Sequence, residues 1–373
     1  MTIPAKFAQK RQSNLAVALK DAGLDAIALN PSQSLTYLTG LHFHLSERPV
    51  VGLFMPDAPP RLVLPELEAA KIAALDYPLQ ATTYGEEPNT WMQAFSKGFG
   101  TSGASVIGVE DGAMRLLEYR LLQTVFPNAK FVDATDSIGS LRMYKDRSEI
   151  AAMQQAAEIA ERALSAAITE IQVGMTERQV ANLLLQKLLS AGSTGELPFQ
   201  PIVSTGPNGA NPHAVPSERK LQKGDLLVID FGASVEGYYS DITRTFAIAE
   251  YSDEQKLIHN TVRAANQAGH AAASPGVACG DVDTSTRKVI EDAGYGKYFI
   301  HRTGHGLGMQ AHEPPYIRRG NLMLLEPGMT FTIEPGIYLP GQFGVRIEDD
   351  VLITESGLHS FSSFPRELQV IGG

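Results

Sequence analysis

The chain has 373 residues, 43% hydrophobic and 19% charged, the balance of a soluble globular protein with material for two or three domains at roughly 100–200 residues each. With 31 Lys and Arg against 41 Asp and Glu, the net charge is −10, which argues against a nucleic-acid footprint or an anionic-membrane anchor. Cys279 is the only cysteine, so no intrachain disulfide can form and a reducing compartment is expected. With no signal-like segment and no apolar run near the roughly 18 residues of a membrane span, that compartment is read as the cytoplasm.

In chain order, residues 1–140 read as a self-contained α/β unit. A helix over residues 5–22 stops at Gly23, and an apolar strand follows over 25–29. Residues 50–55 and 61–64 are further apolar runs, and alternating helical and strand-like pieces continue to about Val132. From Ser148, taken as a cap, a long helix sets Ile150, Met153, Ala157, Ala160, Leu164 and Ile168 at three- and four-residue spacing. Thr176 and Gln179 form a capping-box pattern opening a second helix that ends at Gly192. Residues 226–229 and 242–248 read as strands.

The same order recurs. Ser252 and Gln255 open a helix that ends near Pro275, a second helix covers about 281–293, and strand-like segments follow at 330–334 and 345–353. The fold class is therefore α/β (α+β): an N-terminal domain over 1–140, then a domain over 141–373 built as an internal repeat of helix, helix and strand pair.

Each copy delivers two carboxylates. In the first, Gly237 supplies the freedom for a chain reversal, and the midpoint between Val235 and Glu236 would set Asp230 opposite Asp241. In the second, a reversal at Gly341 sets Glu334 opposite Glu348. Cross-strand Cβ atoms lie roughly 4.5–5.5 Å apart, close enough to share a cation. Four such groups would repel one another unless cations neutralised them. Oxygen ligation with one imidazole suits Mn, Co or Zn, and two ions about 3.5–4 Å apart can generate hydroxide and clamp a carbonyl oxygen. The imidazole is His305, whose neighbouring glycines are expected to keep the backbone open for close approach of metal or substrate.

A single aspartate at a strand end is more often a cap than a ligand; the paired arrangement and the glycine-flanked histidine reverse that reading. Spacing alone leaves His213, His301 and His312 open between hydrogen-bonding loop residues and functional groups. Arg244 and Arg346 stand close to proposed ligands and are read as ion-pair supports. Cys279 and Trp91 are read as packing residues, and Asp349 and Asp350 as a solvated strand edge.

Three stretches, PHAVPSERKLQKGDLLVIDFGASVEGYYSDITRTF, HRTGHGLGMQAHEPP and GMTFTIEPGIYLPGQFGVRIEDD, resemble the creatinase/methionine-aminopeptidase superfamily of pita-bread hydrolases. Within it they are most similar to the Xaa-Pro peptidases, prolidase and aminopeptidase P. The match begins near LRMYK at residues 141–145 and runs almost to the end, while residues 1–140 fit the creatinase-like N-terminal domain in length and order.

The resemblance implies a pita-bread catalytic domain with pseudo-two-fold halves and two divalent metal ions, Mn first and Co or Zn next. In it Asp230 holds one ion, Asp241 and Glu348 bridge both, and His305 and Glu334 complete the second. It implies cleavage of the bond preceding proline by a metal-bridging hydroxide, with Glu334 relaying the proton. His213 and His312 match substrate and transition-state histidines, His301 a histidine of the proline pocket, and Arg346 an arginine two before the bridging glutamate, so the resemblance makes His301 and Arg346 substrate-binding residues. It also implies a homodimer in which an N-terminal loop, here residues 41–48, reaches the partner's site. The substrate would be a proline-containing di- or oligopeptide. The alternatives are a same-fold hydrolase of another small amide (creatinase- or ectoine-hydrolase-like) and a non-catalytic binding protein. The complete ligand set argues against a metal-free or ligand-depleted descendant, and the large N-terminal domain argues against a methionine aminopeptidase.

Overall fold

The computed structural model describes residues 4–100 and 102–373. The chain divides into two compact units, one ending at Arg142 and the other running Met143–Gly373. In the first, the Ala5–Asp21 helix buries Ala8, Arg11, Leu15 and Leu19, a stripe at the helical period. Left-handed backbone at Gly23 (φ 67°) follows its end.

Six strands form the sheet of this unit: β1 (Ala26–Leu29), β2 (Val51–Met55), β3 (Ala58–Pro65), β4 (Gln80–Tyr84), β5 (Val106–Val109) and β6 (Lys130–Asp133), in the order β4-β3-β2-β1-β5-β6. β1 is buried throughout and pairs antiparallel with β2 and parallel with β5. Its unbroken apolar run is what a strand covered on both faces requires. In the 41–48 loop, Leu41 and Phe43 are buried while His42 and His44 are exposed, their rings meeting edge to face at 5.2 Å.

In the second unit, the Arg147–Ile168 helix is capped two residues earlier than expected. Asp146 accepts from the Ser148 and Glu149 amides at 2.8 and 3.1 Å, and Glu149 accepts from the Asp146 amide at 2.8 Å. A carboxylate at this end also meets the positive pole of the helix, which a serine cannot match. Thr176 and Ser252 cap the Glu177–Ser190 and Asp253–Ala272 helices as their capping boxes predict.

The strands here form two main sheets. One has the order β19-β11-β8-β7, with β7 (Ile202–Thr205), β8 (Leu226–Phe231), β11 (Ile242–Ile248) and β19 (Val370–Ile371). The other has the order β13-β12-β14-β17-β18, with β12 (Gly304–Gly306), β13 (Glu313–Ile317), β14 (Thr330–Ile333), β17 (Asp349–Thr354) and β18 (Gly357–Ser360). Two hairpins stand apart: β9 (Ser234–Val235) with β10 (Tyr238–Tyr239), and β15 (Gly336–Leu339) with β16 (Phe343–Arg346). A backbone bridge between Thr243 and Glu348 joins strands of the two halves. Among the described residues, no helix is long and apolar enough to cross a membrane.

One buried residue of this core reports on acid. His259 in the Asp253–Ala272 helix is 1% exposed, and its Nδ1 has no hydrogen-bond partner. Burial, helped by the Arg263 charge, pushes its pKa down to about 4. Above the unfolded value near 6.5 the ring is neutral in both states. As pH falls from about 6.5 to about 4, the unfolded chain takes up a proton that the folded chain resists, so about 3 kcal/mol of stability is lost across that window. His259→Gln is expected to flatten this acid limb, read as the urea midpoint against pH.

Candidate metal centre

The first carboxylate pair is set by a tight return. Glu236 and Gly237 both adopt positive φ, 52° and 79°, the pattern of a type I′ turn. Val235 pairs with Tyr238, and the same register places Asp230 opposite Thr243 and Phe231 opposite Ile242. The expected reversal thus lies one residue too early, and Asp230 is diagonal to Asp241 rather than opposite it. The two aspartates still lie on one face, because Asp241 and Thr243 are two apart. The second return follows the expected register: Gly336 pairs with Arg346 and Leu339 with Phe343 about Gly341, and Ile333 pairs with Asp349.

These returns bring the predicted residues together. One donor atom from each of Asp241, His305 and Glu348 lies within 4.8 Å of the others. His305 Nε2 stands 3.4 Å from Glu334 Oε1 and 3.7 Å from Asp241 Oδ2. Asp230 lines the same pocket, of about 510 Å³, with His213, His301, Arg302, His312 and Arg346. Asp230 Oδ2 accepts from Arg346 Nη2 at 2.5 Å, while Asp230 Oδ1 and Asp241 Oδ1 are buried with no hydrogen-bond partner among the described residues.

Burial, followed by the charges of Glu348 and Asp230, raises the Asp241 pKa well above the carboxylate range. Burial, then Glu334 and Asp230, does the same to Glu348. Glu334 is pushed to about 8 by burial, with Arg346 opposing and Asp230 adding. Buried acceptors without donors are costly. Orphaned carboxylate oxygens facing one imidazole are a donor set that fits divalent cations.

His305 enters on β12, where added Cβ atoms on its flanking glycines would collide with backbone: Gly304 with the Thr332 carbonyl at 1.8 Å, Gly306 with the Pro314 carbonyl at 2.2 Å. The close approach these glycines permit is therefore that of the protein's own strands. His305 Nδ1 lies 3.1 Å from the Gly306 carbonyl, which fixes the proton there and turns Nε2 to the carboxylates.

The other histidines divide by exposure. His213 is on a loop and exposed, its amide bonded to Asn211 Oδ1 at 3.1 Å. His312 is also exposed, with its ring 4.0 Å from that of His305. His301 is spoken for at both nitrogens: Nδ1 reaches the Arg302 carbonyl at 2.7 Å and Nε2 the Tyr338 hydroxyl at 2.9 Å. Burial and the Arg346 charge lower its pKa to about 3. Neutral His301 therefore donates from Nδ1 and accepts from Tyr338 at Nε2, leaving only its ring surface for a ligand.

Both arginines act as supports. Arg346 donates to Asp230, to Tyr338 Oη at 2.8 Å and to Thr243 Oγ1 at 3.1 Å. Arg244 donates to the Glu348 carbonyl at 2.6 Å and to Asp349 Oδ1 at 2.8 Å.

Asp349 and Asp350 are not a solvated edge; they are 0% and 2% exposed. Asp349 also accepts from Asn266, His270 and Arg366. Although burial acts to raise its pKa, Arg244 and these donors hold the group ionised. Asp350 Oδ2 accepts from the Asp241 amide at 2.8 Å. β17 lies between β14 and β18 and is buried on both faces, which the acidic run concealed.

Three residues escaped the sequence reading. Thr243 donates to Glu348 Oε2 at 2.6 Å, a role its place two after Asp241 could have suggested. Tyr338 links Arg346 to His301 across the β15–β16 hairpin. Arg302 lines the pocket beside His301.

Comparison with known proteins follows the same division. Residues 11–144 match the creatinase/prolidase N-terminal domain, and residues 151–355 match metallopeptidase family M24. The Xaa-Pro dipeptidase of Lactobacillus delbrueckii subsp. lactis is 37% identical over 95% of this chain and 96% of its own. The crystal structure of dipeptidase PepE from Mycobacterium ulcerans superposes with a TM-score of 0.91 at 35% identity, covering 100% of both chains. That of recombinant prolidase from Thermococcus sibiricus gives 0.92 at 33% identity, over 97% of this chain and 99% of that one. With this domain order, this catalytic motif set and relatives aligned over nearly their whole length, the chain belongs to metallopeptidase family M24.

Proposed function

We propose that the chain hydrolyses the peptide bond preceding proline in short peptides, with two divalent metal ions, Mn first, held by Asp230, Asp241, His305, Glu334 and Glu348. The observation that carries this reading is the pair of buried, unpartnered oxygens of Asp230 and Asp241 beside the Asp241, His305 and Glu348 donors. Relatives named Xaa-Pro dipeptidase and prolidase support the choice of substrate. In this reading residues 1–140 are the creatinase-like N-terminal domain, residues 141–373 carry the chemistry, and the protein works as a cytoplasmic homodimer.

Metal ions, when bound, lower the pKa of water at the site and polarise the substrate carbonyl. The rest falls to side chains. Glu334, 3.4 Å from the ligand imidazole, takes the proton of the attacking water and returns it to the proline nitrogen as that bond breaks. His213 and His312, exposed at the pocket, present N–H groups to the oxygen on which charge develops. His301 offers its ring to the proline, and Arg346 holds Asp230 in place through its hydrogen bond.

The test is activity of chelated protein, then of protein reconstituted with Mn, Co or Zn, on Gly-Pro, Ala-Pro and a longer X-Pro-X peptide. Activity on the proline peptides that is lost on chelation and restored by metal is expected. Full activity of metal-free protein would overturn the reading.

A further inference from the structure

We infer that Glu177 positions His213, its buried carboxylate clamping both ends of the loop that carries the histidine to the pocket. This role rests on the proposed hydrolysis, in which His213 meets the developing charge, and deepens it.

Glu177 opens the Glu177–Ser190 helix and is 0% exposed. Val180, Leu184 and Leu188 of the same helix lie in the core, so its first turn is a fixed point. The two carboxylate oxygens serve opposite ends of one loop. Oε1 accepts from the Thr205 amide at 2.7 Å and the Thr205 hydroxyl at 3.1 Å, where β7 ends. Oε2 accepts from the Ser217 amide at 3.0 Å and the Ser217 hydroxyl at 2.6 Å, where the chain returns. Asn208 Nδ2, inside the loop, also donates to Oε2 at 2.8 Å. A carboxylate offers roughly four lone-pair sites, so this one is saturated by neutral donors of the loop and its ends. The helix does not need it as a cap, because the box of Thr176 and Gln179 is complete.

Backbone bonds fasten the return: the Glu177 and Arg178 amides donate to the Arg219 and Ser217 carbonyls at 3.0 and 3.1 Å. The Glu177 side chain carries that fastening across to Thr205. β7 in turn pairs with the strand of Asp230, with Ile202 opposite the aspartate.

Between the clamped ends the loop is open to solvent. His213 is exposed and Val215 is 78% exposed, and His213 lines the pocket with Asp230 and His312. The bonds that shape this part are local: the His213 amide meets Asn211 Oδ1 at 3.1 Å, and the Ala214 amide meets the Asn211 carbonyl at 3.2 Å. Toward the pocket wall, Arg346 Nη1 reaches the Pro212 carbonyl only at 3.5 Å, a length at which a hydrogen bond is weak. The place of His213 is therefore set from the loop's ends. A misplacement of about 1 Å at a group that meets a transition state costs on the order of 10²-fold in rate.

The test uses full-length, metal-loaded protein and Ala-Pro. Glu177→Gln turns an amide nitrogen toward donors that met oxygen. It is expected to lower kcat roughly ten- to hundredfold, with KM nearly unchanged and metal content intact. Ser217→Ala, which frees one end, is expected to fall between this variant and wild type. In a His213→Ala background either change is expected to alter turnover by less than about twofold, because residues acting as one unit do not add.

A Glu177→Gln variant with full kcat, a loss that multiplies with that of His213→Ala, or a His213→Ala variant as active as wild type overturns the inference. Should Glu177→Gln not fold, Ser217→Ala alone and with His213→Ala decides by the same comparison. If the wild type leaves Ala-Pro intact, the proposed function fails instead, and hydrogen exchange then decides the clamp. The His213 and Ala214 amides are expected to exchange faster in Ser217→Ala than in wild type while β8 is unchanged; equal exchange overturns the clamp.

Discussion

Asp241→Asn is expected to abolish hydrolysis and metal retention while making the metal-free protein harder to unfold. The two effects have one origin. Asp241 is 4% exposed and lies among Asp230, Glu334 and Glu348 with an oxygen that no donor reaches. Without metal, burial and these neighbours disfavour its charge, so an amide of the same shape relieves repulsion that the folded state otherwise carries. With metal the sign reverses, because the carboxylate is a ligand and an amide is a poor substitute.

Thermal midpoints of wild type and variant, each with excess chelator and with excess Mn, separate the effects. The variant is expected to melt higher in chelator, show little rise with Mn, and turn over Ala-Pro at least ~10²-fold more slowly. A variant that retains metal content and turnover would show that Asp241 is not a ligand.

Lys145→Met is expected to cost about 3–5 kcal/mol of stability, the penalty for leaving one partner of a buried ion pair without its counter-charge. Lys145 Nζ sits 2.6 Å from Glu313 Oε1, with side chains 1% and 2% exposed. The pair lies under the loop that carries His312: a Cβ on Gly308 would meet Glu313 Oε1 at 2.5 Å and Lys145 Nζ at 3.1 Å.

The double variant Lys145→Met, Glu313→Gln removes both charges and is expected to recover much of the loss, since apolar or neutral replacements of a buried pair are often close to neutral. Urea midpoints with equal slopes measure both. A single variant within ~0.5 kcal/mol of wild type would show that the pair is solvated in solution. Because Glu313 follows His312 directly, the single variant is also expected to slow turnover at full metal loading.

Much of the centre was legible because it depends on local order. Capping boxes at Thr176 and Ser252, the reversal at Gly341 and the glycines about His305 are written in a few adjacent residues. The first return was misplaced by one residue because two central positions with positive φ, Glu236 and Gly237, decide it, and glutamate rarely marks such a site. That slip shifts the partner of Asp230 by two residues and so leaves the face unchanged.

What could not be read was set by distant chain. Asp349 and Asp350 look like surface charge in a sequence, yet Arg244, Asn266, His270 and Arg366 converge on the first. Thr243 is an ordinary strand threonine until Glu348, 105 positions away, comes to its hydroxyl. Arg302 is an ordinary loop arginine until the Tyr316 ring comes under its guanidinium.

The two arginine supports cross over. Arg346, from the second repeat, holds Asp230 of the first, and Arg244, from the first, holds the Glu348 carbonyl and Asp349 of the second. Each half thus lends the other the cation it lacks. Separating the halves would leave Arg346 without Asp230, and Arg244 without Asp349 and the Glu348 carbonyl, so the two sides of the pocket are held in register by the same exchange.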